Sequence, residues 1–363
     1  MRNGPSILDV ARQAGVSTAT AGRVLGGYGY ASAATAARVH AAAQALGYRP
    51  NRLARGLITG RTQTIGVIAS DIASPFYAAV IRGIADTLQG AGFGVLVTNS
   101  DESVQLEQQA LRLLLEKQVD GLIVSPCDLA AAPHLQEALR ACPVVQIDRA
   151  VADLSADCVS VDNVGAARDC VRSLTQAGHR RIGFVGEVVM QGAPEMRRLI
   201  QRCAALPPRA PGALPSALRF SGYLAACDAA GIAADPTLIR CVGTYSAAAA
   251  RAAVADLLAL PQPPTALFTA DGLMSIGAVQ AIAARGVPIP QALSLVCFDD
   301  LDWMAFYAGG ISAACQPAQE IGRVAAELLL RRIDAEPPEA PAYIALPAPL
   351  TQRRSVAPPA APG

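Results

Sequence analysis

The stretch Ser6–Leu57 constrains this chain more than any other: SILDVARQAGVSTATAGRVL, then a longer helical pattern ending in LGYRP, then NRLARGL. Ser6 has the chemistry of a helix N-cap, and Asp9 follows in the first turn. Ile7, Val10, Ala11 and Ala14 fall on one helical face. Gly15 suits a left-handed stop. Val16 is an apolar turn residue, and Ser17 can cap a second helix whose Ala21, Val24 and Leu25 point back at the first. Two short helices crossed about a glycine turn can lay the second in a DNA major groove. There Ser17, Thr18, Ala19 and Thr20 would meet base edges at the helix start, and Arg23 a phosphate one turn on.

Charge supports that assignment. Residues 1–61 hold eight arginines and one acid, Asp9, while the chain as a whole has a net charge of only +1. A near-neutral total therefore hides a basic head on an acidic body, the asymmetry expected of a nucleic-acid face.

After the head, Asn51 can cap a run from Arg52 to Ile58. A helix of about seven residues with Gly56 inside it is not stable alone in water, and the plain alternative is a flexible linker. The residues DVARQAGVSTATAGRVLGG, ASAATAARV and YRPNRLARGL resemble the DNA-binding head of the LacI/GalR family of bacterial transcriptional regulators. The resemblance implies that two such hinge segments fold together in the minor groove of DNA bound by a dimer. Leu57 would wedge between base steps, Ala54 would sit against the groove floor, Arg52 and Arg55 would reach phosphates, and Asn51 would cap the segment at the DNA. The chain departs from the family pattern at Ala21, Gly22, Gly26, Ala31 and Ala36. Gly22 costs a helix about 1 kcal/mol against alanine and lacks a hydroxyl that would reach DNA, so an altered operator preference is expected.

Beyond residue 62 the pattern alternates. Apolar strand-like runs at 64–70, 94–100, 121–126, 143–148, 158–163, 181–187, 238–243, 266–271 and 294–300 are separated by amphipathic helical stretches. Strands apolar on both faces with intervening helices mean parallel, doubly wound α/β sheets. Two in series make two lobes with a ligand cleft at the strand carboxyl ends. The expected division is an all-α helix-turn-helix head over 1–49, a hinge over 50–61, a two-lobed effector and dimerisation region over 62–354, and a disordered Pro- and Ala-rich tail over 355–363. The nine cysteines form no CxxC pair and are expected as small buried hydrophobes. No apolar run reaches membrane-spanning length and no charged-then-apolar leader precedes the head, so the cytoplasm is the expected location, without membrane contact.

The body resembles the periplasmic sugar-binding-protein fold that the same family uses as its effector core. Carried over motif by motif, the resemblance implies a ligand site from SPFY (Ser74, Phe76, Tyr77), IDR (Asp148, Arg149), RFSGY (Arg219), GTYS (Tyr245), TAD (Asp271), FDD (Asp299) and CQP (Gln316). Ala270 stands where the family has an amide. Carboxylates and amides beside aromatic faces suit a polyhydroxyl ring, whose hydroxyls each need a donor and an acceptor once buried. Arg149 and Arg219 would also accept an acidic sugar.

Between Gly186 and Arg219 the chain is longer than the family pattern needs. PEMRRLIQRCAAL (194–206) parallels PSALRFSGYLAAC (215–227), as in a partial duplication. The extra piece, around 189–213, is expected mainly as a surface excursion, with a short helix over the cleft mouth as the alternative. Arg219 is preferred to Arg198 because only the second copy keeps Gly222 and Tyr223.

Enzyme classes find little support. His40, His134 and His179 are the only histidines and have no metal spacing; no GxSxG elbow occurs, and SDIASPF rather than a glycine loop follows the first strand. The expectation is a homodimeric repressor of carbohydrate or sugar-acid genes that binds operator DNA, with no cofactor or metal, switched by a small effector in the cleft. A pocket that is disabled, or answers to a purine or a protein partner, is the alternative, and a secreted sugar-binding protein is disfavoured by the head.

Overall fold

The computed structural model describes residues 5–26, 30–48, 61–188, 195–334 and 340–360. The hinge residues Asn51, Arg52, Ala54, Arg55 and Leu57 lie outside them. Two compact units result, a helical head and an α/β body.

In the head, α1 (Ile7–Ala14), α2 (Thr18–Gly26) and α3 (Ala33–Leu46) pack around Val10, Ala11, Ala14, Ala21, Val39, Ala42 and Ala43. Ser6 and Asp9 form a reciprocal capping box, and Gly15 ends α1 in the left-handed region at φ 63°, as their spacing leads one to expect. The Ser17 hydroxyl accepts from the Thr20 amide at 3.1 Å and so caps α2.

The body carries two six-stranded sheets. The first lobe contains β1 (Thr64–Ala69), α4 (Pro75–Gly90), β2 (Gly94–Asn99), α5 (Val104–Glu116), β3 (Gly121–Val124), α6 (Pro133–Ala141), β4 (Val144–Ile147) and β5 (Asp157–Val161). The second contains α7 (Asn163–Gln176), β6 (Ile182–Gly186), α8 (Met196–Ala204), α9 (Pro215–Ala229), β7 (Ile239–Cys241), α10 (Ala247–Leu258), β8 (Ala266–Thr269), α11 (Gly272–Ala284), β9 (Ser294–Phe298) and β10 (Ser312–Ala314). The chain then returns through α12 (Ala318–Asp334) and β11 (Tyr343–Leu346) to the first lobe, and through β12 (Leu350–Thr351) to the second. Strand orders are β11-β5-β4-β3-β1-β2 and β12-β10-β9-β8-β6-β7; β11-β5-β4-β3-β1 and β10-β9-β8-β6-β7 run parallel, and β12 meets β10 antiparallel. Three crossings between lobes follow, after β5, after β10 and after β11. Apolar runs such as GLIV and SLVCF are buried along their whole length, the burial a parallel sheet covered on both faces requires. Six cysteines are buried and three partly so.

Two sequence expectations are corrected. Residues 355–363 were expected to be disordered, yet Ser355 is fully buried. Its carbonyl accepts from Leu295 at 2.9 Å and its hydroxyl accepts from the Ser312 amide at 2.8 Å. The Ala357 carbonyl lies 2.8 Å from the buried His179 ring. Proline-rich composition lowers chain entropy without removing carbonyls, so the segment pairs with β9 once a partner is in reach. The extra segment is likewise no mere excursion. Its α8 buries Leu199 and Cys203 in the core. The following loop reaches the first lobe, where the Gly212 amide donates to the Ala150 carbonyl at 2.8 Å and Arg209 stands over the Tyr343 ring.

Candidate functional site

All ten expected ligand residues line one cavity between the two lobes: Ser74, Phe76, Tyr77, Asp148, Arg149, Arg219, Tyr245, Asp271, Asp299 and Gln316. They arrive from strand ends and helix starts, as the doubly wound architecture prescribes. Asp148 follows β4 and Asp299 follows β9, equivalent places in the two lobes, and both hold the left-handed region at φ 66° and 68°. Non-glycine residues rarely adopt it. Such outliers concentrate where a side chain must be aimed against local preference, and here both carboxylates reach the same cavity.

In the first lobe, the Tyr77 hydroxyl donates to Asp148 at 3.0 Å and lies 2.7 Å from the Ser125 hydroxyl. Arg149 donates twice to Glu102, at 2.5 and 2.7 Å, and Glu102 also accepts from Ser70. Burial would raise the Glu102 carboxyl, but the two Arg149 bonds outweigh it and hold it low. Burial pushes Asp148 and Tyr77 up. Phe76 meets Tyr77 edge-on with ring centroids 5.1 Å apart. Ser74 precedes α4 without capping it through its side chain.

In the second lobe, Arg219 donates to Asn163 and to the Ala270 carbonyl, each at 2.8 Å, and its guanidinium lies 3.8 Å from the Phe298 ring centre. Asp299 accepts from the Gly272 amide at 2.8 Å and from Gln316 at 2.6 Å. Asp271 caps α11 through its Oδ1, which accepts from Met274 at 2.9 Å. Its Oδ2 is buried with no partner, as is the Gln316 Oε1. Burial, with the nearby Asp299 charge, raises the Asp271 carboxyl to about 7, against the pull of the Met274 amide and Arg219. Tyr245 is raised by burial and by Asp271.

Five further residues line the cavity: Asp71, Glu102, Glu187, Pro215 and Ser216. Glu102 and Glu187 follow β2 and β6, so the strand-end logic that selects Asp148 would also have found them. Ala270 is absent from the lining; its carbonyl orients Arg219 instead. Arg198, the rival arginine of the first copy, is exposed. Gly222 and Tyr223 turn out to serve the fold: a side chain at 222 would meet the Val164 carbonyl at 2.3 Å, and Tyr223 donates to the Ile182 carbonyl at 2.8 Å.

The cavity is small, about 60 Å³, whereas small-molecule sites run to roughly 300–1,000 Å³. A ligand of monosaccharide size therefore needs the lobes to part or Glu102 to withdraw.

In the head, Thr18 and Ala19 are exposed, Thr20 and Gly22 half-buried and Arg23 exposed, so the outer face of α2 is presented to solvent. Arg23 reaches the Thr20 hydroxyl at 3.4 Å. Ser17 and Thr20 are tied to each other, hydroxyl to hydroxyl at 2.9 Å, which fixes the start of the helix.

Residues 6–51 match the bacterial regulatory proteins of the lacI family. Residues 62–354 match the periplasmic binding proteins and sugar binding domain of the LacI family. The HTH-type transcriptional repressor CytR of Escherichia coli (strain K12) is 34% identical over 328 residues, 90% of this chain and 89% of its own. The transcriptional regulator CelR, in complex with cellobiose, is 28% identical with a TM-score of 0.68, over 97% of this chain and 99% of its own. The lac repressor dimer bound to operator and the anti-inducer ONPF gives a TM-score of 0.79 over 98% and 100% of the two chains. At 23% identity that last likeness speaks for the fold alone.

Proposed function

The chain belongs to the lacI family of bacterial regulatory proteins, and from that premise we propose that it is a cytoplasmic, homodimeric repressor of carbohydrate catabolic genes, released from its operator by a small polyhydroxyl effector. The observation that carries the effector half is the meeting of side chains from both lobes at one cavity, with Asp148 and Asp299 both left-handed. A ligand bridging the lobes binds the closed arrangement better than the open one, and that difference is the free energy available for switching.

The DNA half rests on α2. Ser17, Thr18, Ala19 and Thr20 read base edges and Arg23 holds a phosphate, while Asn51, Arg52, Ala54, Arg55 and Leu57 act as the minor-groove hinge. Self-association is assigned to β2, an edge strand, and to α5. Leu96 and Val97 on the strand and Leu106 and Leu113 on the helix are between 38% and 46% exposed, more apolar surface than an unpartnered edge carries comfortably.

The test is operator selection from a random duplex pool, followed by titration of the selected duplex with the full chain at physiological salt. Leu57→Ala is expected to weaken operator binding at least tenfold without changing thermal stability. Unchanged affinity would remove the wedge from the mechanism. A pool that yields no enriched sequence would refute the repressor itself.

A further inference from the structure

Six carboxylates line the cavity, Asp71, Glu102, Asp148, Glu187, Asp271 and Asp299, against two guanidinium groups, Arg149 and Arg219. Neither arginine is waiting for an anion. Arg149 is held bidentately by Glu102, and Arg219 is committed to Asn163, to the Ala270 carbonyl and to the Phe298 face. The spare arginine N–H, Arg149 Nε, lies 3.5 Å from the Asp148 carboxylate, and most of what is left over in the second lobe is acceptor capacity. Asp271, 5% exposed, has a buried Oδ2 with no donor, and the Gln316 Oε1 beside Asp299 has none either. Buried carboxylates in excess of cations must be neutralised by protons or by a ligand's charge. The second-lobe side, where Asp271 feels the charges of Asp299 and Glu187, has the larger unmet demand for donors.

We propose that the effector carries a protonated amine among its hydroxyls, seated between Asp271, Asp299 and Glu187, so that the pocket selects an amino sugar or similar hydroxylated primary amine and rejects sugar acids and sugar phosphates. This rests on the effector-pocket reading above and narrows it. An ammonium brings three donors and a positive charge to three carboxyl groups, Asp271, Asp299 and Glu187, that can only be matched by donors when ionised. A carboxylate would have to displace Glu102 from Arg149 and then sit among the five other carboxyl groups. Glu102 thus occupies the place an anionic ligand would need and acts as the chain's own counter-ion to Arg149.

The experiment uses the full chain at pH 7 with three matched series: glucosamine, galactosamine and mannosamine; the parent hexoses; and glucuronate, galacturonate and gluconate. Binding is measured by calorimetry and by thermal shift. At least one amino sugar should bind ten times more tightly than its parent hexose, with its acid counterpart weaker than both. Asp271→Asn keeps the helix cap through its amide oxygen and should shrink the amine-to-hydroxyl preference to threefold or less; Glu187→Gln should act in the same direction. A parent hexose or an acid that binds as tightly as the amine overturns the inference while leaving the effector pocket standing. Failure of all three series to bind overturns both. A preference that survives intact in both variants overturns the assigned seat.

Discussion

At the residue scale, the cavity is paid for in strained and uncompensated groups. Asp148 and Asp299 accept left-handed backbone to aim carboxylates inward, at a cost of order 1–3 kcal/mol each. Asp271 is the sharpest case, because its carboxyl is raised from 3.8 to about 7. The folded chain therefore holds a proton there that the unfolded chain has released. Stability contributed at this site is lost as pH climbs from about 4 to about 7, and the full penalty stands above that range. Asp299 and Glu187 add to the penalty, while Arg219 relieves part of it. Asp271→Asn should accordingly unfold at a higher temperature than the parent at pH 8, with the gap narrowing as pH falls to 5. A gap independent of pH would mean that Asp271 is ionised without penalty in the fold.

At the element scale, glycine contacts set how closely helices pack. Where α4 crosses α12, a side chain at Gly83 would meet the Gln319 carbonyl at 2.0 Å, and one at Gly322 the Val80 carbonyl at 2.0 Å. Where α11 crosses α10, Gly277 meets the Ala247 carbonyl at 2.3 Å in the same way. Backbone carbonyls cannot yield like the tip of a side chain, so the helices themselves must separate. Gly322→Leu should cost about 1–3 kcal/mol, read as a drop of several degrees in Tm; an unchanged Tm would show that the crossing tolerates separation. The Gly222 contact between α9 and α7 belongs to the same class, which explains why RFSGY is found in the copy that builds the pocket. The loop after α8 adds a tie that neither lobe supplies itself, from Gly212 to Ala150 and from Arg209 to Tyr343.

At the scale of the whole molecule, the proposed switch requires that the lobes move about their three crossings while the proposed dimer surface on β2 and α5 holds. Leu96→Lys combined with Val97→Glu should convert the full chain to a monomer at micromolar concentration, measured by sedimentation, with operator affinity lost in parallel. A dimer that survives both changes places the interface elsewhere.

Much of this was legible in order along the chain. Local signals determined the head: a cap, a left-handed glycine and an apolar stripe act within a few residues, so Ser6, Gly15 and Ser17 do in space what their spacing implies. Apolar runs likewise determined the alternation of strands and helices, since burial on both faces leaves few polar positions. The ten ligand candidates converge because a parallel sheet delivers all its strand ends to one side. Three things only the tertiary structure decided. Ser355 and Ala357 pair with β9 because backbone acceptors in a proline-rich segment find buried donors that composition does not reveal. The inserted α8 enters the core because an amphipathic stripe has no direction until a neighbour fixes one. The pairing of Glu102 with Arg149, residues far apart in sequence, emerges only in the fold, and on it rests the proposed charge of the ligand.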